Sequence, residues 1–179
     1  MFRKLLNSEL GRLDVEGFKA AEKAPVALIL DNVRSQHNIG SAFRTCDAFR
    51  VGRICLCGIS ATPPSAEIHK SALGAEFSVD WTYHEDTLSA VEALKAEGWT
   101  IISVEQTENS TMLGDFRPEA GQKYALVFGN EVRGVRQDVV DASDLCLEIP
   151  QYGTKHSLNV SVSIGIVLWS LLEPTCLAP

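Results

Sequence analysis

Short apolar segments alternate with helix-forming segments along most of this chain, and this alternation limits its fold more than any other feature. The segments VALILD, RICLCGI, SVDWTY, WTIISVE, YALVFG and LCLEIP are typical of short strands, and several of them are apolar on both faces. Strands that are apolar on both faces lie between two layers of helices. The sequence therefore predicts an α/β protein with a mainly parallel sheet that is flanked by helices.

Length and composition indicate a single globular domain, because the 179 residues are 45% hydrophobic and 22% charged. We predict an N-terminal helical extension over residues 1–24 and a main domain over residues 25–179. No segment is long and apolar enough to span a bilayer, and MFRKLLNSEL lacks the apolar stretch of a signal peptide, so we expect a cytoplasmic protein. The helices predicted in the main domain cover residues 39–49, 64–75, 86–98, 135–143 and 156–173.

The net charge of −7 argues against broad, nonspecific binding of nucleic acid, although it allows a local basic patch around Arg34, Arg44, Arg50 and Arg53. The five cysteines and four histidines show no metal-binding spacing, and we predict no metal site. Cys55 and Cys57 lie at strand spacing and therefore face the same side of the sheet, as small buried hydrophobic residues do.

Three loops with unusual chemistry follow predicted strands, after Leu30, Phe128 and Ile149. In parallel α/β sheets, ligands bind at the carboxyl ends of the strands, so these loops form the candidate site. The chain contains no GxGxxG, GxxxxGK[ST] or GxSxG segment, and dinucleotide, P-loop and hydrolase chemistry are therefore not indicated.

The first loop, DNVRSQHNIGSAFRT, leads into a helix with an apolar stripe at Ile39, Phe43 and Cys46. Asn38 is placed as the N-cap of this helix. Arg44 lies about 140° around the helix from Ile39, at roughly 100° per residue, and so need not enter the core. Asn38 alone can be a plain cap and Arg44 alone a surface cation.

The second loop, FGNEVRG, places Gly129 directly after a strand, where backbone groups can face a ligand with no side chain between them. Glu131 can accept a hydrogen bond from a ligand or hold a neighbouring arginine. The third loop, IPQYGTKHSLNVSVS, places Ser157 and Asn159 at the start of a helix that is apolar on nearly all sides and is therefore expected to be buried. Polar groups at such a helix start must hydrogen-bond to the backbone or to a ligand.

Together, NIGSAFRT, LVFGNEVRG and IPQYGTKHSLNVSVSIGI resemble the three motifs of the SpoU (TrmH-like) family of RNA ribose 2′-O-methyltransferases, in the SPOUT superfamily. The resemblance covers residues 25 to about 172, and its most specific part is SLNVS followed by an apolar helix. Many relatives carry an extra RNA-binding domain, whereas this chain has only a short N-terminal extension and a net acidic charge.

The resemblance implies a SPOUT-type fold with a C-terminal trefoil knot, S-adenosylmethionine as cofactor, tRNA or rRNA as substrate, and a homodimer with active sites at the interface. By position in the motifs, it implies that the cofactor is bound by Gly129, Asn130, Gly134, Ile149 and Leu158. The catalytic residues that it implies are Asn38, Arg44, Glu131, Ser157 and Asn159. The substrate-binding residues that it implies are Arg34, Arg44, Arg133 and Lys155.

The reaction that the resemblance implies is attack of a ribose 2′-hydroxyl on a sulfonium methyl group, and this hydroxyl is a poor nucleophile until it loses its proton. Models of the family's mechanism assign a base-like role to the arginine at the position of Arg44. A guanidinium normally stays protonated, however, and is better suited to stabilising the developing alkoxide. Glu131 is a second candidate base, or it holds Arg133 or Asn38 in place. Two alternatives stay open: a methyltransferase that modifies a base nitrogen of RNA, and an inactive relative that binds RNA or cofactor.

Overall fold

The computed structural model describes residues 2–172 of the chain. Within them, seven strands form one sheet in the order β3-β2-β1-β6-β4-β7-β5, and all neighbouring strands pair in parallel. The predicted α/β fold is confirmed, and the knot stays a prediction. The strands are β1 (Ala24–Asp31), β2 (Val51–Cys57), β3 (Asp80–His84), β4 (Thr100–Val104), β5 (Thr111–Met112), β6 (Tyr124–Phe128) and β7 (Leu145–Glu148). The helices are α1 (Val15–Ala20), α2 (Gln36–Ala48), α3 (Ala66–Ala72), α4 (Ala75–Ser78), α5 (Thr87–Ala96), α6 (Gln137–Asp141) and α7 (Val160–Leu172).

The two faces of the sheet bury separate apolar clusters, which is why the central strands are apolar at successive positions. On one face, Leu28 and Leu30 of β1 pack in the cluster that contains the apolar residues of α2, α3, α4 and α7. On the other face, Ala27 and Ile29 pack with residues of α5 and α6. Burial on both faces therefore accounts for the unbroken apolar run VALIL.

The order of the strands determines which loops meet at the carboxyl edge of the sheet. Strands β1, β6, β4 and β7 are consecutive neighbours, so the loops that follow them emerge side by side. Three of these loops carry the motifs described above. The fourth follows β4 and lies between the loops that follow β6 and β7.

The N-terminal segment is less helical than predicted. It contains α1 and one 3₁₀ turn at Asn7–Glu9, and Gly11 between them adopts a left-handed conformation with φ 60°. Asp14 then starts α1 by accepting a hydrogen bond from the amide of Gly17 at 2.7 Å. Phe18 of α1 belongs to the main core, and the division at residue 24 stays a prediction.

Other boundaries differ from the prediction for identifiable reasons. The helix predicted over residues 64–75 is interrupted at Leu73 and Gly74, which have φ values of 55° and 97° and separate α3 from α4. The short edge strand β5 was not predicted. The last helix begins at Val160, so Asn159 lies at its start, as predicted, whereas residues 156–158 are not helical. Its predicted last residue, 173, and Cys176 lie outside the described residues.

The prediction that the last helix is buried on all sides is wrong for a single chain. Ile164, Val167 and Leu168 of α7 are buried, but Val162, Ile166 and Trp169 are 49%, 37% and 60% exposed. The exposed residues are spaced i, i+4 and i+7 and therefore form one stripe. We call Val162, Ile166 and Trp169 the free face of α7. Apolar composition thus predicted a buried helix, whereas the single chain covers only one side of it.

Cys55 and Cys57 face the same side of the sheet, as predicted, and both are buried in the α5-side cluster. Burial raises the pKa of the Cys57 thiol to about 12, so this thiol stays protonated at neutral pH. Among residues 2–172 there is no cluster of histidine, cysteine, aspartate and glutamate that could hold a metal ion. In the same residues, no helix combines the length and apolar character needed to cross a membrane.

Candidate active site

A cavity of about 560 Å³ opens at the carboxyl edge of the sheet, between the loops that follow β4, β6 and β7. We call residues 31–38 the first loop, residues 129–134 the second loop and residues 149–159 the third loop. Most of the predicted site residues in the second and third loops line this cavity. They are Gly129, Asn130, Glu131, Arg133, Gly134, Ile149, Ser157, Leu158 and Asn159.

Glu131 connects the second loop to the first. Its carboxylate accepts hydrogen bonds from the backbone amides of Arg34 and Ser35, both at 2.9 Å, and from the side-chain amide of Asn38 at 3.1 Å. Partial burial raises the pKa of Glu131, but these hydrogen bonds outweigh it and leave the pKa below its ordinary value. Of the two partners considered from the sequence, Glu131 therefore holds Asn38, and it forms no hydrogen bond or ion pair with Arg133.

Asn38 also reaches the third loop. Its side-chain oxygen accepts a hydrogen bond from the side-chain amide of Asn159 at 3.2 Å. The side-chain oxygen of Asn159 accepts two hydrogen bonds from Ser161 at the start of α7, one from the backbone amide at 2.9 Å and one from the hydroxyl at 2.6 Å. The side chains of Glu131, Asn38 and Asn159 thus form one network that joins all three loops.

The predicted helix caps need correction. The N-cap of α2 is Ser35, whose hydroxyl accepts from the Asn38 amide at 3.3 Å, so Asn38 lies in the first turn and its side chain is free for the network. Ser157 does not begin the last helix. It is exposed, and its hydroxyl has no hydrogen bond within residues 2–172.

Two glycines allow the second loop to fold tightly on itself. Asn130 and Gly134 exchange backbone hydrogen bonds at 3.0 and 2.8 Å. A Cβ atom at Gly129 would overlap the backbone of Gly134 and Val135. Gly129 is therefore required first for the closure of its own loop, before any approach of a ligand.

The predicted substrate-binding cations lie on the surface. Arg34, Arg44, Arg133 and Lys155 are exposed, and within residues 2–172 their side chains form no hydrogen bond or ion pair. Arg34 is adjacent to the network through its backbone amide only. Among residues 2–172, neither Arg44 nor Lys155 lines the cavity, so their roles stay predictions.

The geometry and the sequence point to the same family. The sequence profile of the SpoU rRNA Methylase family matches residues 25–169. The chain belongs to this family. The resemblance inferred from the three motifs is therefore confirmed, and all three SpoU motifs lie within the matched residues.

Curated relatives and solved structures agree with this assignment. The 23S rRNA (guanosine-2′-O-)-methyltransferase of Neisseria meningitidis is 33% identical over 80% of this chain and 56% of its own length. The tRNA (guanosine(18)-2′-O)-methyltransferase of Aquifex aeolicus is 34% identical over 78% of this chain and 64% of its own length. The AdoMet-bound rRNA methyltransferase of Sinorhizobium meliloti superposes with a TM-score of 0.77 at 25% identity, over 83% of this chain and 56% of that structure. The chain thus spans less than two thirds of these proteins.

The motifs did not reveal every residue that builds this SpoU site. Glu105, Gln106 and His156 line the cavity as well. Asp31, at the end of β1, is fully buried and accepts hydrogen bonds from the Thr87 hydroxyl at 2.5 Å and the Arg136 amide at 2.9 Å. The position of Glu105 as the last residue of a predicted strand was the available signal, because the carboxyl ends of parallel strands share one edge.

Proposed function

We propose that this chain transfers a methyl group from S-adenosylmethionine to a ribose 2′-hydroxyl of tRNA or rRNA. The observation that carries the proposal is the network of Asn38, Glu131 and Asn159, which joins the three SpoU motifs beside one cavity. Two curated relatives from different bacteria are named as RNA 2′-O-methyltransferases, one for rRNA and one for tRNA.

The residues present suit the cofactor. The cavity volume of about 560 Å³ lies within the range of small-molecule sites, and Phe128, Leu147 and Ile149 give the cavity an apolar wall. The backbones of Gly129, Ile149 and Leu158 are the groups that we assign to hold the cofactor, with Asn130 and Gly134 shaping the loop. S-adenosylmethionine supplies an activated methyl group when it is bound. Transfer of a methyl group from a sulfonium to a hydroxyl oxygen does not require a metal ion.

The contacts favour different roles for the candidate catalytic residues. Both oxygens of Glu131 already accept hydrogen bonds and its pKa is lowered, so Glu131 acts as a positioning residue in this proposal, not as the base. The Asn38 and Asn159 amides orient the substrate ribose. Ser157 offers an exposed hydroxyl at the cavity. In methyl transfer, Arg44 would stabilise the negative charge that develops on the ribose oxygen, while water would take up the hydroxyl proton.

The acidic net charge is compatible with RNA as the substrate, because the acids near the site are already hydrogen-bonded internally. Asp31 and Glu105 accept from the backbone amides of Arg136 and Val135, just after the second loop, and Glu131 accepts from backbone amides of the first loop. Arg34, Arg133 and Lys155, in contrast, are exposed without an acidic partner in the described chain. These three cations are therefore available to bind RNA phosphate groups, although the net charge of the whole protein is −7. We also propose a cytoplasmic location for the protein, because tRNA and rRNA are its proposed substrates.

We also propose that the active form is a homodimer. The free face of α7 is an apolar stripe on a helix that packs beside α2, and the Trp169 ring meets the Phe49 ring edge-on with centroids 6.4 Å apart. Burial of such a stripe against a second copy removes it from water. The interface includes α2, so this arrangement brings the partner's surface close to the helix that carries Arg44.

Mass spectrometry of nucleosides tests the proposed function. Unmodified tRNA and rRNA are incubated separately with the protein and isotope-labelled S-adenosylmethionine and then digested to nucleosides. We expect the label in a ribose-methylated nucleoside. Label in a methylated base would instead support the alternative enzyme, and cofactor binding with no labelled product from either RNA would support an inactive relative.

A further inference from the structure

The short loop that follows β4 contacts both loops that border the cavity. In the sheet, β4 lies between β6 and β7, so its carboxyl end emerges between the second and third loops. Glu105 and Gln106, which we call the β4 loop, occupy this place and line the cavity. None of the three SpoU motifs includes them.

Glu105 holds the second loop. One carboxylate oxygen accepts from the Val135 amide at 2.9 Å, and the other accepts from the Gln106 amide at 2.9 Å. The same carboxylate packs against Gly134, which has φ 68°, so closely that a Cβ atom there would overlap it. Glu105 therefore determines how far the end of the second loop lies from β4.

Gln106 holds the third loop. Its side-chain amide donates to the backbone oxygen of His156 at 2.9 Å. In the described part of the chain, this is the only hydrogen bond made by residues 151–158. Ser157 and Leu158, which line the cavity, directly follow the residue that Gln106 holds. The position of this part of the third loop thus depends on one side chain from outside the motifs.

We infer that Glu105 and Gln106 are positioning residues for methyl transfer, which keep the second and third loops at the separation that the cofactor requires. The inference rests on the proposed function, since it concerns the same cavity. Both side chains act through backbone groups of other loops and need not touch the reacting atoms. A displacement of about 1 Å at such a site can cost on the order of a hundredfold in rate, so loops without a common support would impair catalysis.

Gln106→Glu is the sharpest variant, because it keeps the shape of the side chain and replaces the donor to His156 with an acceptor. Glu105→Gln is the second variant, and it turns one acceptor of the second loop into a donor. Glu108→Gln is the matched control, since Glu108 is an exposed acid of the same segment with no partner in the described chain. The readouts are cofactor affinity by calorimetry, KM for cofactor and for RNA, and the rate of trypsin cleavage after Lys155.

We expect each β4-loop variant to weaken cofactor binding by about fivefold to tenfold, because this factor corresponds to the net free energy of one hydrogen bond. KM for the cofactor should rise while KM for RNA stays within twofold or so of the parent, as expected for a cofactor-loop effect. Gln106→Glu should also speed cleavage after Lys155, because residues 151–158 lose the one hydrogen bond that they make in the described chain, whereas Glu105→Gln and the control should not.

Three results would overturn the inference. One is unchanged cofactor affinity and unchanged cleavage in Gln106→Glu while the parent protein binds the cofactor; the proposed function then stands without a role for the β4 loop. Another is a parent protein that binds no cofactor, which overturns the proposed function together with the inference. Faster cleavage with unchanged affinity shows a loop contact that the cofactor does not use, and it also contradicts the inference.

Discussion

Asn38 donates a side-chain hydrogen bond to Glu131 across 3.1 Å, although the two residues are 93 positions apart in the chain. Both belong to motifs, but neither motif indicates which partner the other will meet. The contact exists because β1 and β6 are neighbours in the sheet, so the loops that follow them share the same edge. The contact makes the orientation of Asn38 dependent on an acid in another loop.

Glu131→Gln should therefore lower turnover more than cofactor affinity. A glutamine can accept at one atom only, and its amide group would face the Arg34 or Ser35 backbone donor, so the first loop and Asn38 shift. We expect turnover to fall by roughly tenfold to a hundredfold, as for other small displacements of a catalytic group, with cofactor affinity within a few-fold. Single-turnover kinetics and calorimetry measure the two quantities. Glu85→Gln, an exposed acid without a partner in the described chain, is the control; equal turnover in both variants contradicts this role of Glu131.

The lowered pKa of Glu131 also predicts a pH dependence of stability. Its folded-state pKa lies below its ordinary value of 4.5, so ionised Glu131 stabilises the folded protein above that pH. This contribution is lost as pH falls from 4.5 through the folded pKa. The difference in thermal midpoint between the parent and Glu131→Gln should thus be largest near neutral pH and shrink in acid. A difference that grows in acid would falsify the assigned direction.

Asp31 is buried at the carboxyl end of β1, and its hydrogen bonds stabilise the same edge of the sheet. In Asp31→Asn, one of the donors from Thr87, Asn32 and Arg136 must face an amide group instead of an oxygen. A buried donor without an acceptor costs about 1–3 kcal/mol, which lowers the thermal midpoint by roughly 3–10 °C in a domain of this size. Chemical and thermal unfolding measure this loss. Asp115→Asn changes an exposed acid with no side-chain partner among residues 2–172 and should leave the midpoint unchanged; a similar loss in both variants would exclude the buried contacts as its cause.

The sequence was sufficient for the fold class and for most cavity residues, but not for the contacts between loops. Runs such as VALIL that are apolar at every position indicate a strand between two helix layers, and this pattern is local. The partner of Glu131 and the place of the β4 loop depend on the strand order, which arises from contacts distant in sequence. Ser35 and Asn38 illustrate the same limit on a smaller scale, since both residue types cap helices and only the backbone conformation selects Ser35.

Ile166→Asp tests the proposed dimer. Ile166 lies in the middle of the free face of α7, so a charge there would be buried without a partner if this face meets a second copy. We expect the parent to sediment at about twice 19.5 kDa at micromolar concentration and the variant to sediment as a monomer. Ile59→Asp introduces the same change at an exposed loop residue and should remain dimeric. A dimeric Ile166→Asp variant would place the interface elsewhere.

Arg44→Ala tests the proposed chemistry, because Arg44 is exposed on α2, off its buried stripe of Ile39, Phe43 and Cys46. We expect cofactor affinity within a few-fold of the parent and turnover lower by about a hundredfold or more, as for the loss of one electrostatic stabiliser. Arg44→Lys should restore little, since a point charge does not reproduce the planar guanidinium.

Arg12→Ala, which removes another exposed arginine without a partner in the described residues, should keep full activity and serves as the control for Arg44→Ala. The substrate provides the complementary test. Once a modified RNA is known, a 2′-deoxy substitution at the modified nucleotide should stop methylation and leave RNA binding intact, because it removes only the nucleophile. A deoxy substrate that is still methylated would show that the methyl group goes to a base atom, and Arg44 would then have no ribose alkoxide to stabilise.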